Sequence, residues 1–237
     1  MELTAKPQAV KSKALQYQGR KTTRVKSEQR RRQILEATLR IVRTEGVRGI
    51  RHRAVAKEAD VPLAATTYYF KDIDELIVDA FTLYTEKALL VLKEFTGHFY
   101  QPLSQLLVTD LQSAQGRENL VEFMTDQVTQ YMRGQVIEQY DMLTIEQAFR
   151  YEALVNERIQ KLGQIHRKAL YDMAIEFFSN IVKSEQPDAD ATILIGLFHS
   201  IEYNVLLNGP DNGDIDKIRN ILKHYIKLIV NYSLIAE

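Results

Sequence analysis

The sequence predicts an all-α protein in which a small N-terminal unit of three helices precedes a larger helical domain. Apolar residues recur at three-to-four spacing through most of the chain, and only 10 Gly and 5 Pro in 237 residues interrupt them. A content of 45% hydrophobic and 26% charged residues is that of a soluble, helix-rich globular protein. The charge is also divided. Residues 1–72 hold 17 Lys and Arg against 7 Asp and Glu, and the remainder holds 14 against 24, so a net charge of zero is +10 beside −10. Such a division suits a protein of which one part meets a polyanion and the other does not.

Taken in order, residues 1–26 lack a sustained helical period and carry Lys6, Lys11, Lys13, Arg20, Lys21, Arg24 and Lys26 among polar residues. They are expected to form a mobile basic extension able to lie along phosphates. Ser27 is the expected N-cap of a first helix with Ile34, Ala37, Thr38, Ile41 and Val42 on one face, ended by Gly46. Arg30, Arg31 and Arg32 occupy its first turns, where the helix dipole prefers acids, which points to a partner outside the helix.

A second helix is expected from Arg51–Arg53, and Asp60 occupies a turn position that calls for left-handed backbone. Pro62 then suits the start of a third helix, where a missing N–H costs nothing. Val55, Ala56, Ala59, Val61, Thr66 and Phe70 can face one another, leaving Leu63, Ala64, Ala65, Thr67, Tyr68 and Tyr69 outward. That is a helix-turn-helix pattern over residues 27–72, with a reading helix bearing side chains suited to base edges and thymine methyls. An ordinary helical hairpin is the other reading of those residues alone. Asp72 and Glu75 form an expected capping box for a long fourth helix, amphipathic from Ile73 to about Gly97.

Over about Glu28 to Leu83, roughly a quarter of the chain, the sequence resembles the DNA-binding domain of the TetR family of bacterial transcriptional regulators. The resemblance runs through RRRQILEATLRIVRTEGV, RAVAKEADVP, LAATTYYF and KDIDEL, with Ala56, Ala59, Asp60 and Val61 at the family's spacing. It implies that Arg53 contacts base or phosphate and that Leu63, Ala64, Ala65, Thr67, Tyr68 and Tyr69 meet the groove. It also implies a phosphate contact for Lys71. Arg24 and Arg30 are added as basic residues of the same section. Arg51 and His52 replace the Thr or Ser that commonly caps the second helix, and Tyr69 replaces a frequent His. The first departure suggests further phosphate binding, the second a phenolic hydroxyl on a phosphate oxygen.

Residues 73–237 are expected to form a helical effector-binding and dimerisation domain, cut by breaks at Gly97–Pro102, Gln115–Gly116, Arg133–Gly134, Val155–Asn156, Ser184–Pro187 and Asn208–Asp214. The resemblance implies a pocket between these helices for an unknown, largely apolar small molecule. Phe123, Met124, Phe149, Tyr171 and Tyr203 are its candidate lining residues, and core packing is the alternative for each. The last two helices are apolar on more than one face, with Ala189, Thr192, Gly196 and Ser200 permitting close approach, as expected of a four-helix homodimer interface.

The function expected is a ligand-responsive repressor binding a palindromic operator in double-stranded DNA as a dimer, with no cofactor and no enzyme activity. A metal-dependent helical enzyme is the competing class, and it rests on His199 and Glu202, one helical turn apart; a hydrogen-bonded core pair is the other reading. A nonspecific nucleic-acid-binding protein would leave the acidic domain without a task. No apolar run reaches the roughly 18 residues of a membrane span, no secretory pattern follows the basic start, and the absence of cysteine fits a cytoplasmic protein.

Overall fold

A computed structural model describes residues 16–20, 24–108, 113–209, 211 and 213–235. Among them the elements are α1 (Val25–Glu45), α2 (His52–Glu58), α3 (Leu63–Tyr69), α4 (Ile73–Val108), α5 (Ala114–Arg133), α6 (Tyr140–Glu152), α7 (Glu157–Phe177), α8 (Pro187–Asn208) and α9 (Ile215–Ile235), with no strand among the described residues. The chain divides into two compact units, one holding the described residues up to Leu90 with Asp141–Lys168, the other Val91–Tyr140 with the residues from Ala169 onward. The unit carrying the helix-turn-helix is thus larger than residues 27–72.

In that unit α1 buries Ile34, Leu35, Ala37, Thr38, Leu39, Ile41 and Val42, a wider stripe than the one-face reading. It ends at Gly46, whose φ of 70° an L side chain rarely adopts. Val55, Ala59, Phe70, Leu76 and Phe81 join this core, and so do Phe149, Ile159 and Leu162 from α6 and α7. The helix starts two residues before Ser27, at Val25 with Arg24 as N-cap, because Ser27 is engaged elsewhere: its Oγ lies 2.9 Å from the Tyr69 hydroxyl.

The expected stop of α4 near Gly97 is corrected: the helix continues through Pro102 to Val108. An interior glycine costs a helix only about 1 kcal/mol and an interior proline about 3. Burial of Phe99 and Leu103 on either side of Pro102 offsets that cost. The break expected at Gln115–Gly116 lies just upstream, where the Ser113 hydroxyl caps α5 by accepting from the Gly116 N–H at 2.9 Å. At Gly134 the chain forms a wide helical turn, Gly134–Glu138, before α6. The stops near Val155, Pro187 and Asn208 stand where they were expected.

The second unit packs α5 against α9 around Phe99, Leu103, Leu120, Val121, Met124, Ile226 and Val230. Arg219 donates to Glu122 and Asp126 (2.9 and 2.7 Å), and Lys223 pairs with Glu122, so an acidic edge of α5 meets a basic edge of α9.

His166 in the first unit carries a pH prediction. Its ring lies near Phe81 and Tyr84 (centroids 6.2 and 5.7 Å), and its Nδ1 has no hydrogen-bond partner among the described residues. Burial, then the Arg150 charge, pulls its pKa from 6.5 down to about 4. The unfolded chain therefore binds this proton first as the pH falls. His166 contributes its stability fully above about pH 6.5 and loses it towards pH 4, about 3 kcal/mol in all. Glu146, which accepts from the Tyr84 hydroxyl at 2.9 Å, has its pKa raised by burial and acts in the opposite sense. Urea unfolding across this range should thus lose about 3 kcal/mol less in His166→Phe than in wild type; equal losses would show that burial does not hold the imidazole neutral.

Candidate nucleic-acid interface

The geometry of α2 and α3 is set by four residues between them. Asp60 adopts φ 50°, the left-handed backbone expected of it, and the Val61 N–H donates to the Ala56 carbonyl at 3.0 Å. The Gln33 amide on α1 donates to the Ala59 carbonyl at 2.7 Å, which ties the turn to the first helix. Thr66 and Phe70 are buried, as is Val55 opposite. Asp72 accepts from the Glu75 N–H at 2.8 Å and Glu75 from the Lys71 N–H at 2.9 Å, which starts α4 immediately after the reading helix.

This packing turns Leu63, Ala64, Thr67 and Tyr68 to solvent, Tyr68 being 50% exposed. Ala65 is half-buried against the core. Tyr69 is 6% exposed, which corrects its expected outward placement. Neighbouring residues on a helix point about 100° apart, so on so short a helix only one of two adjacent tyrosines can lie on the outer face. Tyr69 instead meets the edge of the Tyr68 ring at 5.0 Å and Ser27 through its hydroxyl.

Arg24, Arg30, Arg51 and Arg53 are exposed, and no ion pair with an acid forms at any of them among the described residues. By contrast Arg31, expected to face an outside partner, is buried. It donates to Glu28 at 2.7 Å and to Asp79 at 3.3 Å, because it neutralises a carboxylate in the core. Lys71 is exposed beside Asp72 and Glu75 (3.7 and 3.6 Å). His52 is half-buried, its Nδ1 without a hydrogen-bond partner among the described residues.

Residues 16–20 correct the expectation of a mobile extension; residues 1–15 and 21–23 lie outside the described residues. The Gln18 and Gly19 N–H groups donate to the two oxygens of Asp79 (2.6 and 3.1 Å), and the Arg20 N–H donates to the Tyr69 carbonyl at 2.8 Å. Tyr17 donates its hydroxyl to Glu86 at 2.6 Å, and the Arg31 guanidinium lies 4.2 Å from its ring centroid. Burial raises the Asp79 carboxyl above its ordinary range, although both amides and Arg31 pull it down. Asp79 was legible as an acid inside the apolar run Ile77–Tyr84, a signal that amphipathic reading of α4 passed over.

The candidate effector residues do not come together. Phe123 and Met124 lie at the α5–α9 core, whereas Phe149 belongs to the core of the helix-turn-helix unit and meets Phe81 edge-on at 4.9 Å. Tyr171 is half-buried and Tyr203 is 53% exposed. His199 is half-buried and Glu202 buried; no group of three or more potential metal ligands occurs among the described residues. No helix among them is long and apolar enough to cross a membrane.

No protein-family model matches the chain. The HTH-type transcriptional regulator PksA of Bacillus subtilis is 34% identical over 97 residues, 41% of this chain and 47% of that protein, so the match spans about half of the curated relative. A member of the TetR family from Streptomyces coelicolor matches in structure with a TM-score of 0.59 and 22% identity, over 83% of this chain and 97% of that one. A protein described as a transcriptional regulator from Saccharomonospora viridis, solved with choline, matches with a TM-score of 0.60 and 19% identity, over 85% of this chain and 96% of that one.

Proposed function

From a chain that has the fold of the TetR-family regulators and resembles them in its helix-turn-helix sequence, we propose a transcriptional regulator that binds a palindromic operator as a homodimer and is released by a small-molecule effector. The observation that carries this reading is the outer face of α3. Leu63, Ala64, Thr67 and Tyr68 stand out from a buried scaffold while Arg24, Arg30, Arg51 and Arg53 around it lack internal acids. Exposed apolar and hydroxyl side chains read base edges, and cations without internal partners meet phosphates. Tyr69 supports the surface from beneath.

Each reading helix spans few base pairs, so specificity requires two of them about 34 Å apart or a multiple of it. Pairing is assigned to α8 and α9. On α8 the exposed residues Ala189, Ile193, Gly196, Ser200, Tyr203 and Leu207 follow one another at alternating spacings of four and three, and Ile221 and Leu228 are exposed on α9. A stripe of that period is the seam of a helix-to-helix interface.

The effector reading is supported by the aromatic group of the second unit, where Phe95 lies 4.5 Å from Tyr131 and 5.3 Å from Phe99, and Phe99 lies 5.8 Å from Phe177. These half-buried rings offer faces to a largely apolar ligand. Release requires that the ligand prefer the geometry that DNA disfavours, so operator must weaken ligand binding by the same factor. Selection of bound duplexes from a random pool tests the whole reading. Recovery of a short palindrome is expected; a protein that selects no sequence is not this regulator.

A further inference from the structure

We propose that residues 17–20 form a pinned arm that makes Arg20 a phosphate-contacting residue on the same surface as Tyr68, with Asp79 as the positioning residue that holds the arm there. The proposal rests on duplex binding through α3 and adds an element to it. Tyr17 is held by Glu86 and Arg31, Gln18 and Gly19 by the Asp79 carboxylate, and Arg20 by the Tyr69 carbonyl at the end of the reading helix. Each anchor is within one compact unit.

This backbone path sets the Arg20 guanidinium 4.1 Å from the centroid of the Tyr68 ring. A cation stacked face-on over a ring keeps its N–H donors at the edge, free for another acceptor. No carboxylate is within ion-pair distance of Arg20 among the described residues, whereas Arg31, Arg32, Arg40, Arg43 and Lys87 each have one. An exposed cation without an acid, fixed on the reading helix's outward ring, is suited to the phosphodiester backbone beside the groove that Tyr68 enters. The stacking holds the side chain in place before DNA arrives, so less of its freedom is lost on binding.

Gly19 supplies the separating test. A Cβ there would lie 2.8 Å from two atoms of the fully buried Phe70 ring and 2.9 Å from an Asp79 oxygen. Gly19→Ala therefore lifts the arm while leaving Arg20 in the sequence. The full chain is titrated by fluorescence anisotropy with the labelled duplex recovered from the random pool, over a series of salt concentrations. Arg20→Ala is expected to weaken binding about tenfold and to lower the slope of log affinity on log salt by about one, the signature of one lost phosphate contact. Gly19→Ala is expected to shift both in the same direction.

An arm that only covers Phe70 would move thermal stability and leave the salt slope alone. Wild-type affinity and slope in Arg20→Ala, with Arg53→Ala and Tyr68→Ala both weakened, would overturn the arm and leave the α3 reading standing. Wild-type binding in all three would remove both. Arg20 is exposed and its variant keeps the fold, so if Gly19→Ala does not fold, Arg20→Ala decides alone.

Discussion

Gly196→Arg should leave each subunit folded and abolish pairing. Gly196 lies inside α8 on the exposed stripe, and a Cβ built there meets no atom within 4 Å. Within the subunit the substitution has room, and it removes an interior glycine that costs a helix about 0.5–1 kcal/mol. Against a second copy the same side chain would hold apart two helices whose contact depends on small residues at Ala189, Gly196 and Ser200. Light scattering after gel filtration should move from twice the 27.4 kDa chain mass to that mass alone, with unchanged helical circular dichroism. Affinity for the palindromic duplex should then fall by at least about a hundredfold, since a monomer engages one half-site. A variant that stays dimeric would place the interface on another face.

Asp79→Ala should cost about 3–5 kcal/mol, the penalty for removing one partner of a buried ionic group. The Asp79 side chain is fully buried. Its loss leaves the Gln18 and Gly19 N–H groups and the Arg31 guanidinium without their acceptor. Against a total stability of about 5–15 kcal/mol for a folded protein, this is a large share, and the melting temperature should drop by about 10 °C. Asp79→Asn keeps the shape and one acceptor oxygen and should recover part of the loss. A fall of under about 1 kcal/mol in Asp79→Ala would mean that Arg31 and the two amides find water or other acceptors, and that the carboxylate does not pin the arm.

The helix-turn-helix was legible because its signals are local. Gly46 and Asp60 adopt positive φ at the two turns where the sequence requires it, and the Asp72–Glu75 cap starts α4 where expected. Leu63, Ala64, Thr67 and Tyr68 were read as outward and are exposed. Tyr69, Arg31 and residues 16–20 were misread for one shared reason. Each is placed by a partner far away in sequence, at Ser27, Asp79 and Asp79 again, and composition and helical period carry no record of such pairs. The effector candidates failed similarly: Phe123 and Phe149 are both bulky and apolar, and nothing in their spacing assigns them to different cores.

By itself the sequence determined that this protein is helical, where most helices start and stop, that its basic charge gathers in the first 72 residues, and that a turn-flanked helix offers a reading face. Those properties depend on backbone conformation and charge within a few residues, which the side chains dictate directly. The tertiary structure decided which of two adjacent tyrosines faces out and which arginine is spent inside. It also decided that an arm joins the reading helix, and that α6 and α7 contribute to its core. These follow from burial, which forces every buried charge and amide to find a partner wherever the fold supplies one.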